Sequence, residues 1–190
     1  MFLIITAILI ILIYGTLSLF RQGAETKNLT DLLADVEKGK HFNLIVSGKT
    51  SGRIETLYTC DGKDISPPVS WNGLPEGTES LVLMVYDPDA PKGIFVHWVV
   101  YNIPPSYTGL EENFPKREVI DGILQGVNDF GKIGYGGPCP PHGKHRYVFL
   151  VLALDQKLDA KPGMTAVEVL SLARDHVLGY GKAVLTYERG

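Results

Sequence analysis

Charge of either sign is scarce in this chain, and cysteine is scarcer. Charged residues make up 21% of the 190, the formal net charge is −3, and there are two cysteines. That balance gives no broad electrostatic case for a nucleic-acid partner, and none is expected. Two cysteines form one disulfide at most. Metal-ligating sets are thin as well: His142 and His145 lie three apart with no third clear ligand, a poor metal site. No cofactor is expected. Internal repeats and low-complexity tracts are absent too, so the length suits one domain with short additions.

Charge is missing altogether from the first twenty residues, MFLIITAILIILIYGTLSLF, which end at Arg21. A helix of that length spans about 30 Å, the thickness of a bilayer's hydrocarbon core. The segment is apolar on every side rather than along one face. A cleaved signal peptide would carry a basic n-region, a shorter apolar core and small residues at the cleavage site. The nearest match here, Thr16-Leu17-Ser18, is weak. Residues 1–20 are therefore expected to be an uncleaved single-pass membrane anchor, with a cleaved signal as the alternative. Arg21, Lys27, Lys38 and Lys40 follow it, which by the positive-inside rule holds the domain in the cytoplasm. The sequon Asn28-Leu29-Thr30 and the two cysteines argue for the other side. The sequence does not choose between them.

What the chain has in plenty is glycine (21) and proline (12), which suits a turn-rich β protein. Residues 21–40 read as a polar linker holding a short amphipathic helix, NLTDLLADVEKGK. From 41 to 190 strand-like runs alternate with Gly, Pro, Asp and Asn. SLVLMVYD is continuously apolar, and IFVHWVVYNI and RYVFLVLALD are β-branched and aromatic, as strands covered on both faces tend to be. A late helix is marked by a capping box, Thr165 to Glu168, ahead of AVEVLSLARDHV. The fold class expected is mainly β: an antiparallel sandwich with one C-terminal helix, preceded by the transmembrane helix.

Alternation of side chains along a strand sorts the candidate site residues. Leu81, Leu83, Val85 and Asp87 share one side. His97 is expected to share a side with Phe95, Val99 and Tyr101. His145 and Tyr147 share a face that Arg146 opposes. Were these three strands neighbours, one pocket would receive Asp87, His97, His145 and Tyr147. The preceding loop, FGKIGYGGPCPPHGKH, is rich in glycine, whose backbone amides can approach an anion closely, and in proline, which stiffens it. Such a pocket fits a phosphate or carboxylate group. Asp87 would orient a histidine and favour its charged form. Asp89 is expected to pair with Arg146 and brace the loops.

Blander readings compete with each of these. A histidine in an apolar strand is often a hydrogen-bonded core residue, and Asp beside Pro often makes only a turn. Cys139 could be a nucleophile, but a catalytic thiol needs a positioned base and usually a third group. Cys60 and Cys139 could form a disulfide or remain two buried thiols.

The runs CDGKDISPPVSWNGLPEGTESLVLMVYDPDAP, FVHWVVYNIP and GYGGPCPPHGKHRYVFLVLALD resemble the phosphatidylethanolamine-binding protein family, also called Raf kinase inhibitor proteins. The likeness is closest to its bacterial and archaeal branch and covers about residues 41–190. It implies a β-sandwich with a small anion pocket. By position, the family's pocket aspartate and histidine fall on Asp87 and His97, and its second histidine and tyrosine on His145 and Tyr147. The pocket's loop floor falls on Gly137 to Pro141, with Pro140 and Pro141 in it, where the family often has a non-trans proline bond. The family's late pocket tyrosine has two candidates, Tyr180 and Tyr187. The HGK loop before His145 is short, and the animal members' longer C-terminal tail is missing, so kinase inhibition is not carried over.

The function expected is binding of a small anion, phosphate or a phospholipid headgroup, by a membrane-tethered domain with a regulatory role toward a protein partner. Two alternatives stand beside it. One is a hydrolase using a histidine base, with Cys139 or water as attacker; the other is an inhibitor-like protein-binding module. No catalytic residue is assigned.

Overall fold

The structure is a computed structural model that describes residues 27–189. Its strands are β1 (Lys40–His41), β2 (Asn43–Val46), β3 (Ser51–Arg53), β4 (Val69–Asn72), β5 (Ser80–Asp87) and β6 (Phe95–Ile103). They continue with β7 (Gly109–Leu110), β8 (Val119–Ile120), β9 (Ile123–Gln125), β10 (Lys144–Leu154) and β11 (Val177–Glu188). The helices are α1 (Leu29–Val36) and α2 (Ala166–Ala173). A large sheet runs β1-β11-β10-β5-β6-β9-β8, with β3 also paired to β11, and β2-β4-β7 form a small second sheet. Pairing is antiparallel except where β1 and β3 lie parallel to β11.

The long apolar strands at the centre are unbroken because both of their faces are covered. On one face Leu83, Val85, Trp98 and Phe149 meet Leu44, Val46 and Trp71 of the small sheet. On the other, Val82, Met84, Leu150 and Leu152 meet Leu32 and Val36 of α1 and Val169 and Leu170 of α2. Each such side chain contributes roughly 1.5–3 kcal/mol of burial. The helices have local stop and start signals. Asn28 caps α1 by accepting from the Asp31 amide, and the expected capping box of Thr165 and Glu168 opens α2. Glu37, just past α1, accepts two bonds from Lys182 of β11 at 2.7 Å, which pins the helix to the sheet.

The expected architecture needs a correction: it does not include a transmembrane helix among the described residues, and no helix there is long and apolar enough to cross a membrane. α1 and α2 have eight residues each, about 12 Å of helix. The expectation of a single-pass membrane location loses its structural basis with that helix. The segment on which it rested, residues 1–20, lies outside the described residues.

Strand alternation also fails at one informative place. Val85 is opposite Trp98, but the next residue, Tyr86, is opposite Val96, so His97 is an extra residue in β6. This is a β-bulge, and it leaves its residue outside the ladder. Val99 and Tyr101 therefore pack toward the helices, while Trp98 and Val100 pack toward the small sheet. His97 does not share their side with Val99 and Tyr101 as simple alternation expects.

Two ties close the end of the sheet where β5 stops and β6 and β10 begin. Asp89 accepts from the Arg146 backbone amide at 2.9 Å, from its Nε at 2.9 Å and from its guanidinium NH2 at 2.6 Å. The guanidinium holds the Asp89 carboxyl down to about 2. Cys60 and Cys139 form a disulfide with Cα atoms 5.4 Å apart across 79 residues of sequence. Closing a loop of that size removes about 4.5 kcal/mol of unfolded-state entropy in the chain-entropy model.

Replacing both cysteines by serine, or reducing the pair, is expected to lower the unfolding free energy by about 4.5 kcal/mol. Urea denaturation with and without reductant measures this, and coincident curves would refute it. Asp89→Asn is expected to cost about 1 kcal/mol at neutral pH, because the pair is part-exposed and screened. Since the folded Asp89 pKa is depressed, this stability is present above its unfolded value of 3.8 and fades as pH falls toward about 2. Acid titration of the two proteins should therefore bring their stabilities together at the low end.

Candidate functional site

Strand β5 runs antiparallel to both of its neighbours, so its end and the starts of β6 and β10 meet at one end of the large sheet. A cleft of about 580 Å³ opens there, on the side where Tyr147 joins the core shared with the small sheet. Asp87, His97, His145 and Tyr147 all line it, together with Cys139, Pro140 and Pro141. Asp87 ends β5, His97 sits in the bulge of β6, and His145 and Tyr147 are alternate residues of β10.

Asp87 is 4% exposed, and a carboxylate so far out of water must have its oxygens bonded. One oxygen accepts from the Asp89 amide at 2.8 Å. The other accepts from His145 Nδ1 at 2.7 Å. A carboxylate facing Nδ1 fixes the proton on that nitrogen, so Nε2 is the one left for a ligand. Asp87 thus orients a histidine, as the sequence suggests, and that histidine is His145.

His97 is held differently. Its Nδ1 lies 2.7 Å from the Gly136 carbonyl, and its own carbonyl accepts from the Gly136 amide at 2.9 Å. A carbonyl only accepts, so Nδ1 carries hydrogen and Nε2 again is free of protein partners among the described residues. The ring is walled by Phe95, Phe130 and Tyr147, with centroids 5.2, 5.4 and 5.2 Å away. Burial pushes its pKa below the ordinary histidine value, against the smaller opposing effects of the Gly136 carbonyl and the charges of Asp87 and Asp129.

Tyr147 is wholly buried, yet its hydroxyl makes no hydrogen bond with the described residues. It lies near the Asp87 carboxylate and the Cys139 backbone without meeting either at bonding geometry. Burial first, and the Asp87 charge second, push the phenol up. A buried hydroxyl without a partner is uncommon and costs about 1–3 kcal/mol until something supplies one.

Other expected site residues fare less well. Gly137 is absent from the lining, and its amide donates to Asp64 Oδ1 at 2.6 Å. A Cβ there would come within 2.4 Å of the Tyr58 carbonyl, and one on Gly136 within 2.6 Å of the Phe130 ring. These glycines permit close backbone approach, but their amides are already engaged, so they do not form the anion cradle that the composition suggests. No cis peptide bond occurs among the described residues, the 137–141 segment included. Tyr187 donates to Asp61 at 2.9 Å and Tyr180 stacks edge-on with His41, so neither supplies a tyrosine to the cleft. Phe95 lines the cleft beside His97, and so do Phe130, Asp129 and Lys92, which neither strand alternation nor loop composition picks out. Phe130 opens the glycine-rich loop and is 43% exposed, a large apolar side chain among turn residues, which was the available signal. Among the described residues no cluster could hold a metal ion.

Comparison with known proteins agrees with this architecture. A family model described as phosphatidylethanolamine-binding protein matches residues 46–188. A UPF0098 protein of Methanothermobacter thermautotrophicus is 53% identical over 73% of this chain and 93% of its own. One from Aquifex aeolicus is 51% identical over 72% and 85%. The phosphatidylethanolamine-binding protein homolog CT736 of Chlamydia trachomatis superposes with a TM-score of 0.72 at 37% identity, covering 79% of this chain and 99% of its own. E. coli YbcL, described as a new member of the mammalian PEBP family, gives 0.72 at 32%, covering 78% and 99%. With the family model spanning most of the β domain, and relatives above half identity, the chain belongs to the phosphatidylethanolamine-binding protein family and carries its ligand-binding fold.

Proposed function

We propose that the cleft binds a small oxyanion, phosphate or a phosphorylated headgroup, and does not turn it over. The observation that carries this reading is the convergence of three unspent polar groups on one cavity. These are Nε2 of His97, Nε2 of His145 and the unpartnered hydroxyl of Tyr147. Both imidazoles are locked through Nδ1, so they meet a ligand already oriented, with little entropy left to lose. When His145 is protonated it forms an ion pair with Asp87 and donates its other N–H into the cleft. The mouth, with Phe130, Pro140 and Pro141, is apolar enough to pack against whatever the phosphoryl group is attached to. A partner protein that reads the bound state would meet the same exposed Phe130.

Binding is favoured over hydrolysis by the fate of the only candidate thiol. Cys139 Sγ is bonded to Cys60, so it is not a nucleophile while the disulfide stands.

Titration of the 15N-labelled chain with inorganic phosphate is expected to move the resonances of His97, His145 and Tyr147. His145→Ala should weaken the ion by about 10–100-fold, the worth of one charge-assisted hydrogen bond. Unmoved pocket resonances at millimolar phosphate would sink the reading, whereas phosphate-ester turnover that disappears in His145→Ala would replace it with the hydrolase. Affinity is also expected to fall as pH rises. An anion favours protonated histidine, so each proton lost from the occupied site removes a donor. Calorimetry between about pH 5.5 and about 8.5 reads the slope; burial lowers the His97 pKa, so any proton on that ring is given up at the acid end of the window and His97 stays neutral above it.

A further inference from the structure

Resting on the anion reading, we infer that the cleft selects oxyanions that carry an acidic proton of their own. It should take inorganic phosphate and phosphomonoesters in preference to sulfate and phosphodiesters.

The inference comes from counting donors and acceptors at the bottom of the cleft. His97 keeps its hydrogen on Nδ1 because the Gly136 carbonyl can only accept it. Its ring is 3% exposed and shut in by aromatic edges, so a charged imidazolium there gives up its hydration. Nε2 then presents a lone pair. The formal charges facing the cleft do not offset this. Asp87 and Asp129 are two carboxylates against one ammonium, Lys92, and His145 can do no more than balance Asp87. Tyr147 supplies one hydroxyl that either donates or accepts.

An oxyanion with no proton sets its own lone pairs against the lone pair of His97 Nε2. Either that contact goes unmade, or His97 must take up a proton against its burial. A phosphate or phosphomonoester monoanion avoids both costs. Its P–OH donates to Nε2, and its remaining oxygens accept from Tyr147 and from protonated His145. Sulfate has the same size and shape but no proton near neutral pH. A dialkyl phosphate also lacks one, and the cleft, at about 580 Å³, has room for two methyl groups, so size does not reject it. One unmade buried hydrogen bond, worth about 1–3 kcal/mol, corresponds to roughly 5–150-fold in affinity.

The test is calorimetry of the full chain at pH 6 with inorganic phosphate, glycerol 3-phosphate, sulfate and dimethyl phosphate. Phosphate and glycerol 3-phosphate are expected to bind at least about fivefold more tightly than the other two. The order of these two then separates a free ion from an esterified headgroup as the preferred source. A ratio below fivefold overturns the selectivity while leaving the anion site standing. Absence of binding by all four removes the anion site itself, and the two failures are thus distinct. His97→Gln offers a second handle, because its amide can turn an N–H toward the ligand. In a variant whose circular dichroism matches the parent, sulfate should gain on phosphate, and an unchanged ratio would place the discrimination elsewhere.

Discussion

A carboxylate almost wholly out of water at the tip of a central strand sets the terms for everything around it. An ion buried to that depth costs several kcal/mol unless its oxygens are bonded, and Asp87 has two partners that come from different parts of the chain. The Asp89 amide turns the loop after β5 back on itself. His145 Nδ1 draws the start of β10 against the end of β5. Asp89 then takes hold of Arg146, so two successive side chains of β10, on opposite faces, are gripped by the two acids of the DPD turn. Pocket and brace are two faces of one strand junction, and neither would keep its geometry without the other.

The second histidine reaches the same cavity by a different device. Inserting one residue into β6 turns His97 toward the cleft without costing the sheet core its Trp98. Gly136 then clasps that residue on both sides, amide to carbonyl and carbonyl to imidazole. Its lack of a side chain gives the Phe130 ring room to lie against the same histidine. The Trp98 indole is anchored in turn by Gln125, whose amide bonds the Pro115 and Arg117 carbonyls. Position, tautomer and aromatic wall at His97 thus follow from a bulge and a glycine.

Much of this was legible in the sequence, for physical reasons. Apolar runs long enough to be buried on both faces announce central strands, and the Thr165–Glu168 box announces a helix start. Strict alternation put Asp87 on the side of Leu83 and Val85 and put His145 with Tyr147, and the two sets meet because β5 and β10 pair in register up to Tyr86 and Val148. It failed at His97 because a bulge changes parity and leaves no mark in residue type. The glycine-rich loop departs from expectation for a related reason. Composition shows that backbones can approach closely, but not what they approach, and the Gly136 and Gly137 amides turn to protein acceptors. The disulfide could not be chosen from sequence either, since pairing depends on two loops being 5.4 Å apart at their Cα atoms.

The place of β11 has a consequence of another kind. Strand β11 lies in the large sheet with β10 on one side, and on its other side it is, among the described residues, the only partner of β1 and β3. Among the described residues those two strands have no other strand to pair with until Val177–Glu188 has been made. Contacts between such distant parts of a sequence are slow to form, because loop closure must precede any reward. On a ribosome β1 and β3 would emerge with unpaired edges and wait for β11. Completion of this sheet therefore comes long after its first strands are made, and the unfinished edge is where a chaperone or a stray strand would find the chain most receptive.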